Sequence, residues 1–114
     1  MKKTKENLNI TTRKNSFGKD KLHLIDLADF EKRNPKLKMY SQAVLEVGEE
    51  VEYHLHIGEA ETYYILSGKA LYNDNGEISE IGPGTVTYTP SGNGHGIKNI
   101  GEDKLIFMAL IILD

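Results

Sequence analysis

Residues 48–68 read GEEVEYHLHIGEAETYYILSG, and residues 84–99 read GTVTYTPSGNGHGIKN. In the first stretch His54 and His56 stand two apart in a strand-like run. Side chains alternate across a strand, so both rings point to one face and can converge on one ion. Gly58 offers a turn directly after them and Glu61 begins the next run, so an antiparallel hairpin would return its carboxylate beside the rings. Glu59 competes with Glu61 for that part. His95 follows a second turn, Pro90 to Gly94, and would close the group from elsewhere in the fold. Three neutral imidazoles and one carboxylate suit divalent iron, manganese, nickel, cobalt or zinc, and in an octahedral arrangement they leave two positions for water or substrate.

Working outward, turn residues recur about every ten positions, the rhythm of short strands in a sandwich or barrel. Gly48, Gly58, Gly68, Gly76, Gly82-Pro83-Gly84, Pro90 to Gly94 and Gly101 mark it. Between them lie strand-like runs at Val51 to Ile57, Thr62 to Leu66, Thr85 to Thr89 and Leu105 to Leu113. Asn75-Gly76 separates Ala70 to Tyr72 from Glu77 to Ile81 and accepts the positive φ values of a tight hairpin. The one helix candidate is Leu27 to Arg33, capped by Asp26 and stopped by Asn34-Pro35. Shorter strands are expected at Leu8 to Thr11 and Leu22 to Ile25, with His23 on a solvent-facing side. The pattern divides the chain into an N-terminal arm, residues 1–20, and a barrel domain, residues 21–114. The arm is polar, with scattered apolar positions at Leu8, Ile10 and Phe17.

These residues resemble the cupin superfamily at both of its defining motifs. Gly48, His54, His56, Glu61 and Gly68 fill G-X5-H-X-H-X(3,4)-E-X6-G, and Gly84, Pro90, Gly92, His95 and Asn99 fill G-X5-P-X-G-X2-H-X3-N. At average residue usage such a match arises by chance on the order of once in 10¹¹ alignments. The resemblance implies an all-β fold, an antiparallel double-stranded β-helix of jelly-roll type with at most one short helix. It also implies one divalent metal per chain held by His54, His56, Glu61 and His95, which selects Glu61 over Glu59. Asn99 reads as structural, its amide satisfying loop backbone. Tyr63 and Ile65 share parity with Glu61 and should face the interior, making Tyr63 the candidate for a contact to the ligands or substrate; Tyr64 should face out. The expected core is Val51, Leu55, Tyr63, Ile65, Val86, Phe107 and Ile111 or their strand neighbours.

At 114 residues with 39% hydrophobic and 27% charged residues, the chain has the composition of one soluble globular domain. A net charge of -3 and the lack of a basic stripe argue against a nucleic-acid partner. No cysteine is present, so any metal is held by nitrogen and oxygen. The longest apolar run, Leu105 to Leu113, falls well short of the roughly 20 residues of a membrane helix. With no signal-like apolar stretch after Met1 to Ile10, the expected location is cytoplasmic.

Resemblance to cupins does not name a reaction, because the fold serves many chemistries. The chain's only arginines, Arg13 and Arg33, lie outside both motifs, so the predicted strands hold no guanidinium to clamp an anion. That lowers oxalate-decarboxylase-like and sugar-isomerase-like activities, unless Lys69, Lys98 or a partner's arginine substitutes. With no obvious additional base, the leading reading is a small-molecule oxidoreductase of dioxygenase type; the contrasting one is a non-enzymatic ligand-binding or sensor cupin. The apolar run at Leu105 to Leu113 has both parities filled, so its outer face should be covered, and a homodimer is expected in which one arm packs on the partner's barrel.

Overall fold

Ten strands form among the residues 1–14 and 21–114 that the structure, a computed structural model, describes: the eight runs read from the sequence and two more, Leu37–Leu45 and Gly94–Asn99. They are β1 (Asn9–Lys14), β2 (Lys21–Asp26), β3 (Leu37–Leu45), β4 (Glu50–Leu55), β5 (Glu59–Ser67), β6 (Ala70–Asp74), β7 (Glu77–Ile81), β8 (Val86–Thr89), β9 (Gly94–Asn99) and β10 (Leu105–Leu113). One sheet has the order β1-β2-β3-β10-β5-β8, the other β4-β9-β6-β7, and every pairing is antiparallel. Two such sheets facing each other are the expected jelly-roll architecture.

Alternation sets what each sheet buries. Along β5, Glu61, Tyr63 and Ile65 turn inward, while Leu105, Phe107, Ala109 and Ile111 of β10 and Ala43 and Leu45 of β3 complete that wall. Val51, Ala70, Tyr72 and Ile97 close the core from the smaller sheet. Each large apolar side chain removed from water contributes about 1.5–3 kcal/mol before entropy is counted. The expected core positions Val51, Tyr63, Ile65, Phe107 and Ile111 are buried, but Leu55 is 57% and Val86 67% exposed. Parity explains both corrections. Leu55 lies between the inward rings of His54 and His56, and Val86 alternates with Thr87 and Thr89, of which Thr89 is buried.

The Asn75-Gly76 turn forms as read, with φ of 51° and 101° joining β6 to β7. Asn99 is structural: its Nδ2 donates to the carbonyls of Leu45 and Asp103, at 3.0 and 2.8 Å, and its Oδ1 accepts from the Gly101 amide. Two local expectations change. No helix forms over residues 27–33, and the one helical turn among the described residues is a short 3-10 stretch, Lys5–Asn7. Asp26 does accept from a following amide, that of Ala28 at 3.0 Å, but this closes a local turn. Arg33 then ties the segment back on itself through the carbonyls of Ala28 and Lys38. Nor do β4 and β5 form a hairpin: the chain crosses at Ile57 and Gly58 from the smaller sheet to the larger.

β1 pairs along its whole length with β2 of the same chain, Asn9 opposite Asp26. Phe17 of the arm lies outside the described residues, as does the side chain of Arg13.

Candidate metal centre

The crossing at Gly58 builds the site. His54 and His56 project from β4 and its end, His95 stands opposite His54 on β9, and Glu61 faces all three rings from β5 in the other sheet. The four are buried, with exposures from 0% to 8%. His56 Nε2 lies 3.1 Å from His54 Nε2, 3.0 Å from His95 Nε2 and 3.0 Å from Glu61 Oε1, and His95 Nε2 lies 2.9 Å from that oxygen. Ligands about 2.1 Å from a common ion are about 3.0 Å apart at right angles and about 3.4 Å apart at the tetrahedral angle. These spacings match octahedral edges.

The far side of each ring fixes which nitrogen faces the cluster. His54 Nδ1 donates to the Glu52 carbonyl at 2.8 Å, and His56 Nδ1 donates to Glu59 Oε2 at 2.9 Å. His95 Nδ1 meets the hydroxyls of Thr89 and Tyr72 at 3.0 and 3.1 Å, both able to accept. With the Nδ1 protons directed outward, three Nε2 lone pairs and a carboxylate oxygen crowd one point that only protons or a cation can reconcile. The donor set therefore fits a divalent transition metal, and these four residues could hold one.

Charge follows the same geometry. Burial lowers the pKa of His54, partly offset by its bond to Glu52. The Glu61 carboxylate raises that of His56 against the effect of burial, with Glu59 adding to it. Burial pushes Glu61 upward, but hydrogen bonds and charge from His56 and His95 bring it below the ordinary carboxylate value. Glu59 behaves alike, burial opposing and Lys38 and His56 lowering it.

Tyr63 is buried and stacks on the His95 ring, centroids 4.7 Å apart at 22°, while packing against Phe107 on another side. Burial, with the Glu61 carboxylate beside it, drives its phenol well above the usual range, so it stays neutral. Sequence reasoning did not single out Tyr72, Thr89 or Lys38. Lys38 Nζ grips Glu59 Oε1 at 2.7 Å, forming a Lys38–Glu59–His56 chain that ends at the cluster. Glu59, weighed as a ligand, instead orients one. His23 is remote, its Nδ1 3.1 Å from Thr12 Oγ1.

An open cavity of about 710 Å³ meets the cluster on its His56 side. Its wall includes Arg33 and Lys38: the barrel strands expected to lack a guanidinium do not supply it, and the loop between β2 and β3 brings one to the pocket. Lys69 pairs with Glu80 instead, and Lys98 lines a groove at β4, β6, β7 and β9. No helix among the described residues is long and apolar enough to cross a membrane.

The chain is 38% identical over 96 residues to a protein of Thermotoga maritima named oxalate-binding protein, covering 84% of this chain and 79% of that one. It superimposes with a TM-score of 0.90 and 34% identity on the crystal structure of a predicted oxalate decarboxylase from Thermotoga maritima, over 100% of both chains. A glucose-6-phosphate isomerase of Thermococcus litoralis is 39% identical over 67 residues, 54% of this chain but 35% of the isomerase. The sequence profile of the Cupin domain matches residues 41–111, which hold the four clustered residues and most of both sheets, and the chain belongs to the cupin family.

Proposed function

We propose that the chain holds one divalent transition metal through His54, His56, Glu61 and His95 and uses it to bind a small organic acid, with oxalate the first to test. The observation that carries this is the convergence of three Nε2 atoms and Glu61 Oε1 beside a cavity that also presents Arg33 and Lys38. A metal there would act as a Lewis acid toward a carboxylate oxygen. The chain's own residues orient the imidazoles from behind, and Tyr63 positions His95 by stacking. The likeness to an oxalate-binding protein, over 84% of this chain and 79% of that one, supports the ligand class.

A dioxygenase-type oxidation is the second reading. Of the carboxylates on the cavity wall, Glu59 is committed to Lys38 and His56, and Asp26 accepts from the Ala28 amide through Oδ1. Chemistry would then centre on the metal. We further propose a cytoplasmic homodimer, with residues 1–20 as an arm contributing to assembly and residues 21–114 as the barrel domain.

Elemental analysis of protein purified without chelator should find about one divalent metal per chain. Titration calorimetry should then show oxalate binding that disappears when the metal is stripped. Full metal content in a His56→Ala, His95→Ala double variant would refute the assigned site. Substrate-dependent oxygen uptake would favour oxidation over binding alone.

A further inference from the structure

The cavity beside the metal cluster is far larger than oxalate requires. A volume of about 710 Å³ lies within the range of pockets that enclose much larger ligands, whereas oxalate has only two carbons and four oxygens. Much of its wall lies outside the stretch matched by the Cupin domain. β1 supplies Asn9 and Thr11, β2 supplies Asp26, the following loop supplies Arg33, and β3 supplies Lys38.

Arg33 is set in place by its own loop. Its Nη1 donates to the Ala28 carbonyl at 2.6 Å and its Nη2 to the Lys38 carbonyl at 3.0 Å. The loop is in turn pinned by the N-terminal segment: Lys3 Nζ and Asn9 Nδ2 both donate to Asp29 Oδ2, at 2.9 and 2.6 Å. A guanidinium carries five N–H donors in a rigid fork. Two terminal nitrogens are anchored, and among the described residues no carboxylate forms an ion pair with Arg33. Lys38, the other cation on the wall, is committed to Glu59. Of the two acids on the wall, Glu59 is neutralised by Lys38 and His56, and Asp26 accepts from the Ala28 amide.

We propose that Arg33 is a second anion subsite, which receives the far carboxylate of a dicarboxylate longer than oxalate while the near carboxylate sits at the metal. This rests on the metal-and-acid reading above and adds the length and the second charge of the ligand. Asn9, Thr11 and Asp26 would line the span between the ends, so the N-terminal strand takes part in selectivity.

The test is titration calorimetry of the metal-loaded full chain with oxalate, malonate, succinate, glutarate and adipate. Affinity should rise from oxalate to one of the longer acids. Arg33→Gln should weaken that acid at least about fivefold more than it weakens oxalate, leaving metal content unchanged, which also reports an intact fold. Asp29→Asn, which loosens the loop without touching the guanidinium, should shift the longer acid in the same direction. Oxalate binding as tightly as every longer acid, or an equal loss for all acids in Arg33→Gln, would overturn the subsite and leave the metal-and-acid reading standing. Binding of none of the acids by the metal-loaded protein would overturn both.

Discussion

Glu59 and Glu61 are two residues apart and chemically identical, yet one faces the metal cluster and the other stands behind a ring. The difference comes from the cross-sheet crossing at Gly58, which turns Glu61 inward among three Nε2 atoms and leaves Glu59 beside His56 Nδ1. Replacing Glu59 by Ala removes the acceptor that fixes the His56 tautomer. Metal affinity should fall about 10–100-fold, measured by chelator competition, with Glu59→Gln intermediate because its amide oxygen still accepts. A pH dependence follows from His56. In the metal-free protein Glu61 raises its pKa, so His56 keeps a proton that an incoming metal must displace. Affinity should therefore weaken as pH is lowered from 8 to 5, with the loss beginning above the free-imidazole value of about 6.5. His54, shifted the opposite way by burial, stays available to lower pH. A flat affinity across that range would contradict a His56 that holds an extra proton in the metal-free site.

At the level of strands, parity decides consequences that composition does not. Ile65 is wholly buried and Leu55 is 57% exposed, although both are aliphatic residues of similar size in neighbouring elements. Ile65→Ala should cost about 2–5 kcal/mol in urea unfolding, and Leu55→Ser should stay within about 0.5 kcal/mol. Gly68 adds a backbone case: its φ is 98°, and a Cβ there would lie 2.8 Å from the Lys104 carbonyl oxygen, so any side chain strains the turn before β6. Eight of the strands, though not β3 or β9, and the four cluster residues were legible because motif spacing and period-two alternation are local properties of the chain. What was not legible depends on sheet membership. His54, His56 and Glu61 could be assigned inward faces, but sequence alone does not tell a hairpin from a crossing between sheets. Thr89 and Tyr72 likewise reach His95 only through pairings made far along the chain. The short segment after Asp26 has helix-like end signals, but seven residues make too few turns to outweigh the ties formed by Arg33.

For the whole molecule, the outer face of the six-stranded sheet carries the strongest implication about assembly. Tyr40 of β3, Tyr64 and Leu66 of β5, Val86 and Tyr88 of β8 and Ile112 of β10 all point away from the core, each between 40% and 67% exposed. Register joins them into one patch: Tyr64 lies opposite Val86 and Met108, and Leu110 lies between Thr62 and Tyr40. Contiguous apolar faces of this kind on small domains mark contact surfaces, and a two-fold pairing would bury the patch against itself. At one end of the same sheet, β1 has β2 on one side only among the described residues, so its other edge offers a place for a neighbouring chain, and the arm can contribute to the same assembly. Light scattering coupled to size exclusion at micromolar protein should give about twice the 12.8 kDa chain mass. Changing Val86 and Tyr88 to Lys should shift the species toward monomer, because two buried like charges per chain would meet their symmetry mates. A chain-mass peak from the unaltered protein would exclude the dimer. An unchanged dimer after removal of residues 1–20 would confine the interface to the sheet face and reject the arm's part in it.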